Sequence, residues 1–370
     1  MIPLAVLGAA LALAFANGAN DNFKGVATLY GSRRLSYRGA LALATFTTLA
    51  GSLSALVVAT GLVRRFSGKG LVPPAVAADP AFILAVAMGA ALTVQLATRL
   101  GFPISTTHAL TGALVGGGLV MAGGAGVSYS ALTSSFAIPL LMSPLASLVL
   151  AVGLHAGLRR GMARLEASAP TCVCALSGPA AALPDGSSLR LQGMPQLHVA
   201  AVEACDRHGG GRILTLDPRR ALDGLHLVSA GAVGFARGLN DTPKIAGVLA
   251  ATEMLAPGLG TAVLAAAMAA GGLVAAQGVA RTLSIEITRM DEHEGLSANL
   301  VTAGLVLLAS PLGLPVSTTH VSCGALFGIG ASNGEARWKT IGTIAGAWTV
   351  TLPAAALLSA LAALLLNVVR

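Results

Sequence analysis

TVQLATRLGFPISTTH, residues 93–108, and LVLLASPLGLPVSTTH, residues 305–320, align without a gap and share ten of their sixteen residues. A shorter motif precedes each copy. It reads GANDNFK at 18–24, before the first copy, and GLNDTPK at 238–244, before the second. The copies of the longer motif are 212 residues apart and those of the shorter motif 220 apart. Two motifs that recur in the same order, with nearly the same number of residues between their copies, indicate a duplicated chain.

The composition is that of a membrane protein. The 370 residues are 55% hydrophobic and 10% charged, with a mean hydropathy of +0.78, which is too apolar for a soluble domain of this length. Stretches such as 39–63, 131–158 and 340–369 are long enough to cross a hydrocarbon core of about 30 Å, which takes roughly 20 helical residues. We therefore predict an all-α polytopic protein that passes several times through the lipid bilayer of the cell (inner) membrane.

A hydrophilic, arginine-rich segment at 161–221 separates a first transmembrane repeat, 1–160, from a second, 222–370. Its arginines predict a cytoplasmic linker, and basic residues in such loops also account for the net charge of +8, so no nucleic-acid partner is expected. In membrane transporters, duplicated halves usually surround a pseudo-two-fold axis with the substrate site between them. We expect a duplicated and inverted repeat.

The shorter motif places polar residues inside apolar sequence. Gly18 and Asn20 interrupt the first apolar run, and Asn20 or Asp21 can cap the helical segment that follows. In the second copy Pro243 suits the first turn of such a segment, so both copies predict a helix broken inside the membrane. Asp21 and Lys24 share one helix face, and ionisable residues at that depth are candidates for function. The alternative is a structural ion pair at the membrane surface.

The longer motif predicts a short helix whose first turn faces an anion. Ser105 and Ser317 can cap such a helix, and its free N–H groups and positive dipole end attract negative charge. The apolar tails at 109–122 and 321–331 are too short to span a bilayer and predict two re-entrant hairpins. Four hydroxyl groups add further donors, and these belong to Thr106, Thr107, Thr318 and Thr319.

The histidines that close the longer motif, His108 and His320, allow two interpretations. They either donate hydrogen bonds that hold the hairpins or carry protons. A hydrolase with Ser105 beside His108 would also need an orienting acid, which no residue of the sequence marks. We therefore expect no catalytic residues and no enzyme.

Together the two motifs supply mostly hydrogen-bond donors, which suits a small oxyanion. Asp21 and Asp241 favour phosphate over sulfate, because protonated phosphate can donate to a carboxylate and sulfate cannot. The aspartates could instead bind a coupling cation. Sulfate transport, an anion channel and an anion sensor stay open as alternatives. Cys172 and Cys174 have no histidine or second cysteine pair at ligand spacing, so no metal site is expected.

At these residues the chain resembles the inorganic phosphate transporter (PiT) family, in which both motifs are duplicated around a hydrophilic loop. The resemblance implies inverted repeats with re-entrant hairpins and phosphate uptake coupled to Na⁺ or H⁺. It implies no cofactor beyond a bound Na⁺ as coupling ion, and it leaves a homodimer open. By motif position, the implied phosphate contacts are Asn20, Asp21, Ser105, Thr106, Thr107, Asn240, Asp241, Ser317, Thr318 and Thr319. To these we add Lys24 and Lys244, and our candidates for carrying the coupling ion or proton are Asp21, Asp241, His108 and His320.

The chain departs from the family pattern at charged positions. Where the family commonly reads GANDVANA, Lys24 and Lys244 replace the second asparagine, and Asn299 stands where many members carry glutamate. An ammonium group could permanently supply the positive charge that Na⁺ would bring. This predicts Na⁺-independent uptake, driven by protons or by the anion gradient. The alternative is that the two lysines only neutralise Asp21 and Asp241.

Overall fold

The structure is a computed structural model and describes residues 2–166, 171–176, 180–182, 188–190, 196–202, 211–216, 218–250 and 254–368. The chain forms two compact units. The larger consists of Met1–His155 and His226–Arg370, and the smaller is Ala156–Leu225, within which the linker predicted at 161–221 falls.

The described helices make up the larger unit, and two of them continue past its bounds. In chain order they are α1 Ile2–Asp21, α2 Ala27–Gly31, α3 Tyr37–Val58, α4 Thr60–Phe66, α5 Pro74–Ala77, α6 Pro80–Arg99, α7 Thr106–Ala122, α8 Tyr129–Leu132, α9 Ile138–Glu166, α10 Pro218–Ala250, α11 Pro257–Ala275, α12 Gln277–Arg281, α13 Glu292–Ala309, α14 Thr318–Asn333 and α15 Trp338–Val368. A 3₁₀ turn forms at Gly124–Gly126, and π-helical turns form at Thr133–Ala137 and Thr282–Glu286.

Six helical segments in the described ranges are long and apolar enough to cross a membrane. They are Ile2–Asp21, Tyr37–Val58, Pro80–Arg99, Tyr129–Arg160, Pro257–Ala275 and Trp338–Val368. The prediction of a helical protein with several transmembrane segments is confirmed.

Glycines let the long helices approach each other closely. A Cβ atom at Gly112 of α7 would collide with the α15 backbone at Leu352, and one at Gly116 would collide with it at Ala356. Apolar side chains gain little by leaving lipid for a protein interior, so membrane helices associate largely through such close backbone packing. Any larger residue at Gly112 or Gly116 would push α7 and α15 apart.

The first copy of the shorter motif ends a helix, as predicted. α1 ends at Asp21, and α2 begins at Ala27 after a turn. The predicted cap is wrong, because the residue before α2 is Val26 and no side chain caps that helix. The turn instead leaves Asn20 and Asp21 free to bond to other helices.

The second copy lies inside α10, so the helix break predicted at Asn240 and Asp241 is wrong. Pro243 removes one backbone donor from α10, and membrane helices tolerate that loss when neighbouring groups support them. Here Thr242 donates to Ser52 on α3 at 2.7 Å, which ties α10 to its neighbour beside the proline.

The longer motif forms a helical hairpin in each repeat, α6 with α7 and α13 with α14. Ser105 and Ser317 occupy the N-cap positions of α7 and α14, as predicted. Each serine oxygen accepts a hydrogen bond at 3.1 Å, from the backbone N–H of His108 or of His320. The hairpin helices therefore begin with the geometry that the sequence predicts.

The smaller unit contains strands, which the all-α prediction did not include. An antiparallel sheet has the order β4–β1–β5 and a second pairs β2 with β3, where the strands are β1 Thr171–Leu176, β2 Ala180–Ala182, β3 Ser188–Arg190, β4 Gln196–Ala201 and β5 Gly211–Leu216. Short alternations of apolar and polar residues, as in Leu197-His198-Val199 of β4 and Ser188-Leu189-Arg190 of β3, were the signal for these strands, and the linker prediction passed over them. The side chains of Cys172 and Cys174 lie outside the described part of the chain.

Candidate anion-binding site

The repeated motifs bring twelve predicted residues into the interior of the larger unit, and none is more than 5% exposed. Burying polar groups is costly unless they are paired, so their partners show how the site is built. The twelve are Asn20, Asp21, Lys24, Ser105, Thr106, Thr107, Asn240, Asp241, Lys244, Ser317, Thr318 and Thr319.

In the first repeat, three side chains hold Asp21. Lys24 Nζ lies 2.6 Å from Asp21 Oδ1. Asn17 Nδ2 donates to Asp21 Oδ2 at 2.9 Å, and the Thr106 hydroxyl donates to the same oxygen at 3.5 Å. Asn17 also donates to Thr106 Oγ1 at 2.9 Å. The carboxylate thus joins the end of α1 to the first turn of α7.

Asn20 fixes the loop that leads into α7. Its amide group donates to Thr98 Oγ1 at 3.0 Å and to the Phe102 carbonyl at 2.9 Å, and its oxygen accepts from the Ile104 N–H at 3.1 Å. An asparagine amide has two N–H donors, and both are used within the protein. In this conformation Asn20 positions the N-terminal end of α7.

In the second repeat, Asp241 has a matching set of partners. Lys244 Nζ lies 3.1 Å from Asp241 Oδ1, the Thr318 hydroxyl donates to Oδ2 at 3.1 Å, and Asn240 Nδ2 donates to Oδ1 at 3.2 Å. Asn240 also donates to the Val316 carbonyl at 3.2 Å, in the loop before α14. Each carboxylate therefore meets a lysine three residues later and a threonine at the start of a hairpin helix.

Each lysine also reaches the hairpin of the opposite repeat. Lys24 Nζ donates to Thr319 Oγ1 at 2.5 Å and to Thr318 Oγ1 at 3.1 Å. Lys244 Nζ donates to Thr107 Oγ1 at 2.8 Å. Both repeats therefore contribute to one shared polar centre.

The starts of the two hairpin helices lie side by side. Thr319 of α14 donates to the Ile104 carbonyl at 2.7 Å, and Thr107 of α7 donates to the Val316 carbonyl at 3.4 Å. Each threonine bonds to the loop that precedes the other helix. Two positive dipole ends meet at one place, which is an arrangement that favours anions.

Arg237 is a buried cation that the motifs did not predict. Its guanidinium donates to Asn17 Oδ1 at 2.8 Å, Asn22 Oδ1 at 3.1 Å and Thr48 Oγ1 at 3.2 Å, and its Nε lies 3.9 Å from Asp241 Oδ2. Arg237 stands 220 residues after Asn17, the shift that relates the two shorter motifs. Extending the alignment of the two shorter motifs by one residue toward the N-terminus would have paired Arg237 with Asn17.

The charged side chains of this centre carry an excess of positive charge. Lys24, Lys244 and Arg237 face Asp21 and Asp241, and all five are at most 2% exposed. Three cations and two carboxylates leave a formal charge of +1. Each lysine has a carboxylate within hydrogen-bond distance, whereas Arg237 bonds to neutral oxygens. A buried excess charge is costly without a counter-ion, and a bound anion would supply one.

His108 and His320 pack against each other at the contact between the two hairpins. Their ring centroids are 4.4 Å apart in an edge-to-face arrangement, and Trp348 of α15 packs on the His320 ring at 4.1 Å. Trp348 Nε1 also donates to the Pro103 carbonyl at 3.1 Å. The pair lies at the junction of the repeats, where it can hold the hairpins together or carry a proton.

Asn299 belongs to a separate buried cluster. Its amide donates to Thr28 Oγ1 at 2.9 Å and to Ser229 Oγ at 3.4 Å, and His226 Nε2 lies 2.9 Å from the same Thr28 oxygen. The described residues include no group of three or more His, Cys, Asp or Glu side chains placed to hold a metal ion.

Known proteins resemble this chain over nearly its full length. The sequence model of the Phosphate transporter family matches residues 17–359. A Rhizobium meliloti (strain 1021) protein named "Probable low-affinity inorganic phosphate transporter" is 30% identical over 369 residues, covering 96% of this chain and 94% of the relative. A protein of the same name from Mycobacterium tuberculosis (strain ATCC 25618 / H37Rv) is 28% identical over 372 residues, covering 96% of this chain and 76% of the relative.

A solved structure titled "The sodium-dependent phosphate transporter" superimposes with a TM-score of 0.75 at 22% identity, with all of both chains covered. The fold is therefore shared with that protein. The family match includes both copies of the longer motif and both copies of the Asn-Asp pair. This chain belongs to the phosphate transporter family.

Proposed function

We propose that this chain is a phosphate permease of the cell membrane, which binds inorganic phosphate between its two repeats and moves it by alternating access. The observation that carries the proposal is the shared buried centre. There, lysines, threonines and two helix N-termini from both repeats lie together, and the charged side chains carry an excess of positive charge. The family to which the chain belongs, and the names of its relatives, point to the same substrate.

The carboxylates favour phosphate over other oxyanions. Asp21 and Asp241 can each accept a hydrogen bond from a protonated phosphate oxygen, whereas sulfate has no proton to donate at neutral pH. Against a fully deprotonated anion the two carboxylates would be repulsive. Discrimination against sulfate is therefore expected to depend on Asp21 and Asp241.

The bonds between repeats suit alternating access. Lys24 bonds to Thr319 and Lys244 bonds to Thr107, each across the boundary between the repeats. A movement of one repeat against the other would break these bonds, and a bound anion would offer the freed ammonium and hydroxyl groups new partners. Such exchange at a site between repeats is the basis of alternating access in duplicated transporters.

We propose that uptake is coupled to H⁺ and does not require Na⁺. The similar solved structure is titled as sodium-dependent, but in this chain Lys24 and Lys244 place ammonium groups 2.6 and 3.1 Å from the two carboxylates. Those groups supply positive charge where a coupling Na⁺ would otherwise balance Asp21 and Asp241. Na⁺ coupling and transport driven by the anion gradient alone are the alternatives that the experiment tests.

The experiment is uptake of radiolabelled phosphate into proteoliposomes, with Na⁺ or choline outside and with or without an inward proton gradient. We expect accumulation that the proton gradient drives, that Na⁺ leaves unchanged, that excess sulfate does not compete away, and that Asp21→Asn abolishes. Steeply Na⁺-dependent uptake would overturn the coupling proposal. Sulfate transport in place of phosphate would overturn the substrate, and equilibration without accumulation would overturn H⁺ coupling and leave transport down the anion gradient or a channel.

A further inference from the structure

A cavity of about 620 Å³ opens in the larger unit and shares no residue with the anion site. It lies where helices end and begin. Leu56 near the end of α3, Ala250 at the end of α10 and Pro257 at the start of α11 all line it, and Val63 of α4 completes the wall. The ends of spanning helices lie close to the level of lipid headgroups.

The lining divides into an apolar part and a basic part. Arg64 and Lys69 are exposed cations at the cavity, with the Ser67 hydroxyl nearby in sequence. Among the lining residues in the described part of the chain, none is acidic. The apolar walls are Ala55, Leu56, Val63, Ala246, Leu249 and Leu255.

The neighbouring surface is apolar and exposed. Leu53 and Val57 of α3 are 51% and 84% exposed, and Leu259 of α11 is 55% exposed. Both helices are long and apolar enough to cross a membrane, so large exposed apolar side chains on them face lipid. Acyl chains therefore have access to the cavity along α3 and α11.

We propose that this cavity binds an anionic phospholipid, with the headgroup on Arg64 and Lys69 and an acyl chain between α3, α10 and α11. Basic pockets between transmembrane helices recognise such headgroups through charge and hydrogen bonds. Apolar walls fit an acyl chain, and they offer little to a free phosphate ion, which needs polar partners on all sides.

The bound lipid would act on the helix that carries the second half of the anion site. Pro243 and Ala246 line the cavity, and Lys244 lies between them in sequence. An acyl chain packed on this turn of α10 supports the helix segment that presents Lys244 to an incoming anion. We therefore expect anionic lipid to raise the rate of uptake.

The test compares lipid retention by wild type and by the double variant Arg64→Gln, Lys69→Gln. Each is purified in detergent with equal amounts of phosphatidylglycerol and phosphatidylcholine, and bound lipid is counted by native mass spectrometry. We expect wild type to retain phosphatidylglycerol preferentially and the double variant to retain at least threefold less. The control is Arg337→Gln, Lys339→Gln, which removes the same charge from exposed residues of another region and should retain lipid like wild type.

A second variant tests the acyl-chain part without changing charge. A Cβ at Gly260 would meet Leu249 and Leu255 at 3.6 and 3.7 Å, which is ordinary contact, so Gly260→Leu is expected to fold and to fill the cavity. It should also lose phosphatidylglycerol. Equal retention by wild type and both site variants, or equal loss in the control, would overturn the proposal.

Two further arms distinguish a bound lipid from a bound phosphate ion. Inorganic phosphate in excess should not displace the lipid, and displacement would identify the cavity as a path for free anions instead. In proteoliposomes, wild-type uptake should rise at least twofold when phosphatidylglycerol replaces part of the phosphatidylcholine, and uptake by Arg64→Gln, Lys69→Gln should not. Lipid retention needs no transport, so it stands or fails independently of the proposed function.

Discussion

At the scale of single residues, Arg237 makes the two halves of the site unequal. The first repeat has Asn17 at the equivalent position, and the two side chains bond directly at 2.8 Å. Every other charged residue of the centre occurs as a pair, one in each repeat, and the two pairs cancel. The excess positive charge that an anion would balance therefore comes from Arg237 alone.

Removing that charge should weaken phosphate binding. We expect Arg237→Gln to raise the KM for phosphate at least about tenfold, since the anion loses the excess positive charge that balances it and a loss of about 1.4 kcal/mol is a factor of ten. Arg237→Lys keeps the charge and should recover part of the affinity. The measurement is the concentration dependence of uptake, with chromatographic profiles showing that each variant is folded. An unchanged KM in Arg237→Gln would exclude this role.

Substituting the two lysines that depart from the family pattern tests whether they take the place of Na⁺. Changing both to the family residue, as Lys24→Asn, Lys244→Asn, removes the ammonium groups beside Asp21 and Asp241 and leaves two carboxylates without their nearest cations. We expect uptake in choline buffer to fall at least about tenfold, because unpaired buried carboxylates repel an anion. If the lysines replace Na⁺, adding Na⁺ should restore part of the uptake. Wild-type rates in choline would show that the lysines are not needed.

At the scale of elements, close packing of α7 against α15 holds the first hairpin helix in place. α7 provides Ser105 at its cap and Thr106 and Thr107 in its first turn, so any shift of α7 moves three predicted site residues at once. Gly112 and Gly116 set how closely α15 can approach. The position of the candidate anion site thus depends on residues that are not part of it.

Gly116→Ala should disturb this packing, because the new methyl group would meet the α15 backbone at Ala356. Backbone cannot move aside as a flexible side chain can, so we expect a loss of about 1–3 kcal/mol in stability and a lower midpoint of thermal unfolding. Gly346→Ala in α15 is the matched control, since nothing lies within 4 Å of a Cβ there. It should be neutral or slightly stabilising, because alanine favours helix over glycine by about 1 kcal/mol. Equal midpoints for the two variants would contradict the packing argument.

At the scale of the whole molecule, repetition determined how much the sequence could predict. Ser105 and Ser317 were found as caps because each sits in a motif written twice, and local capping geometry depends on few residues. Arg237 was missed because its partner in the first repeat, Asn17, is uncharged. α10 continues through Pro243, and beside it Thr242 bonds to Ser52 of α3, which is a tertiary contact that no local pattern contains. The strands of the smaller unit were missed because short alternations such as Gln196-Leu197-His198-Val199 stand in an arginine-rich segment that was assigned as a linker by its composition.

A ligand held by both repeats should stabilise the whole larger unit. Phosphate that binds only the folded protein raises the free energy of unfolding by about 2.7 kcal/mol at a concentration one hundred times its Kd. We expect the thermal unfolding midpoint in detergent to rise with phosphate and to rise little with sulfate at equal ionic strength. Asp241→Asn should reduce that difference, because the amide can donate to sulfate where the carboxylate repels it. Wild-type midpoints that rise equally with both anions would mean that Asp21 and Asp241 do not select the substrate, and selectivity would then have to arise elsewhere on the transport path.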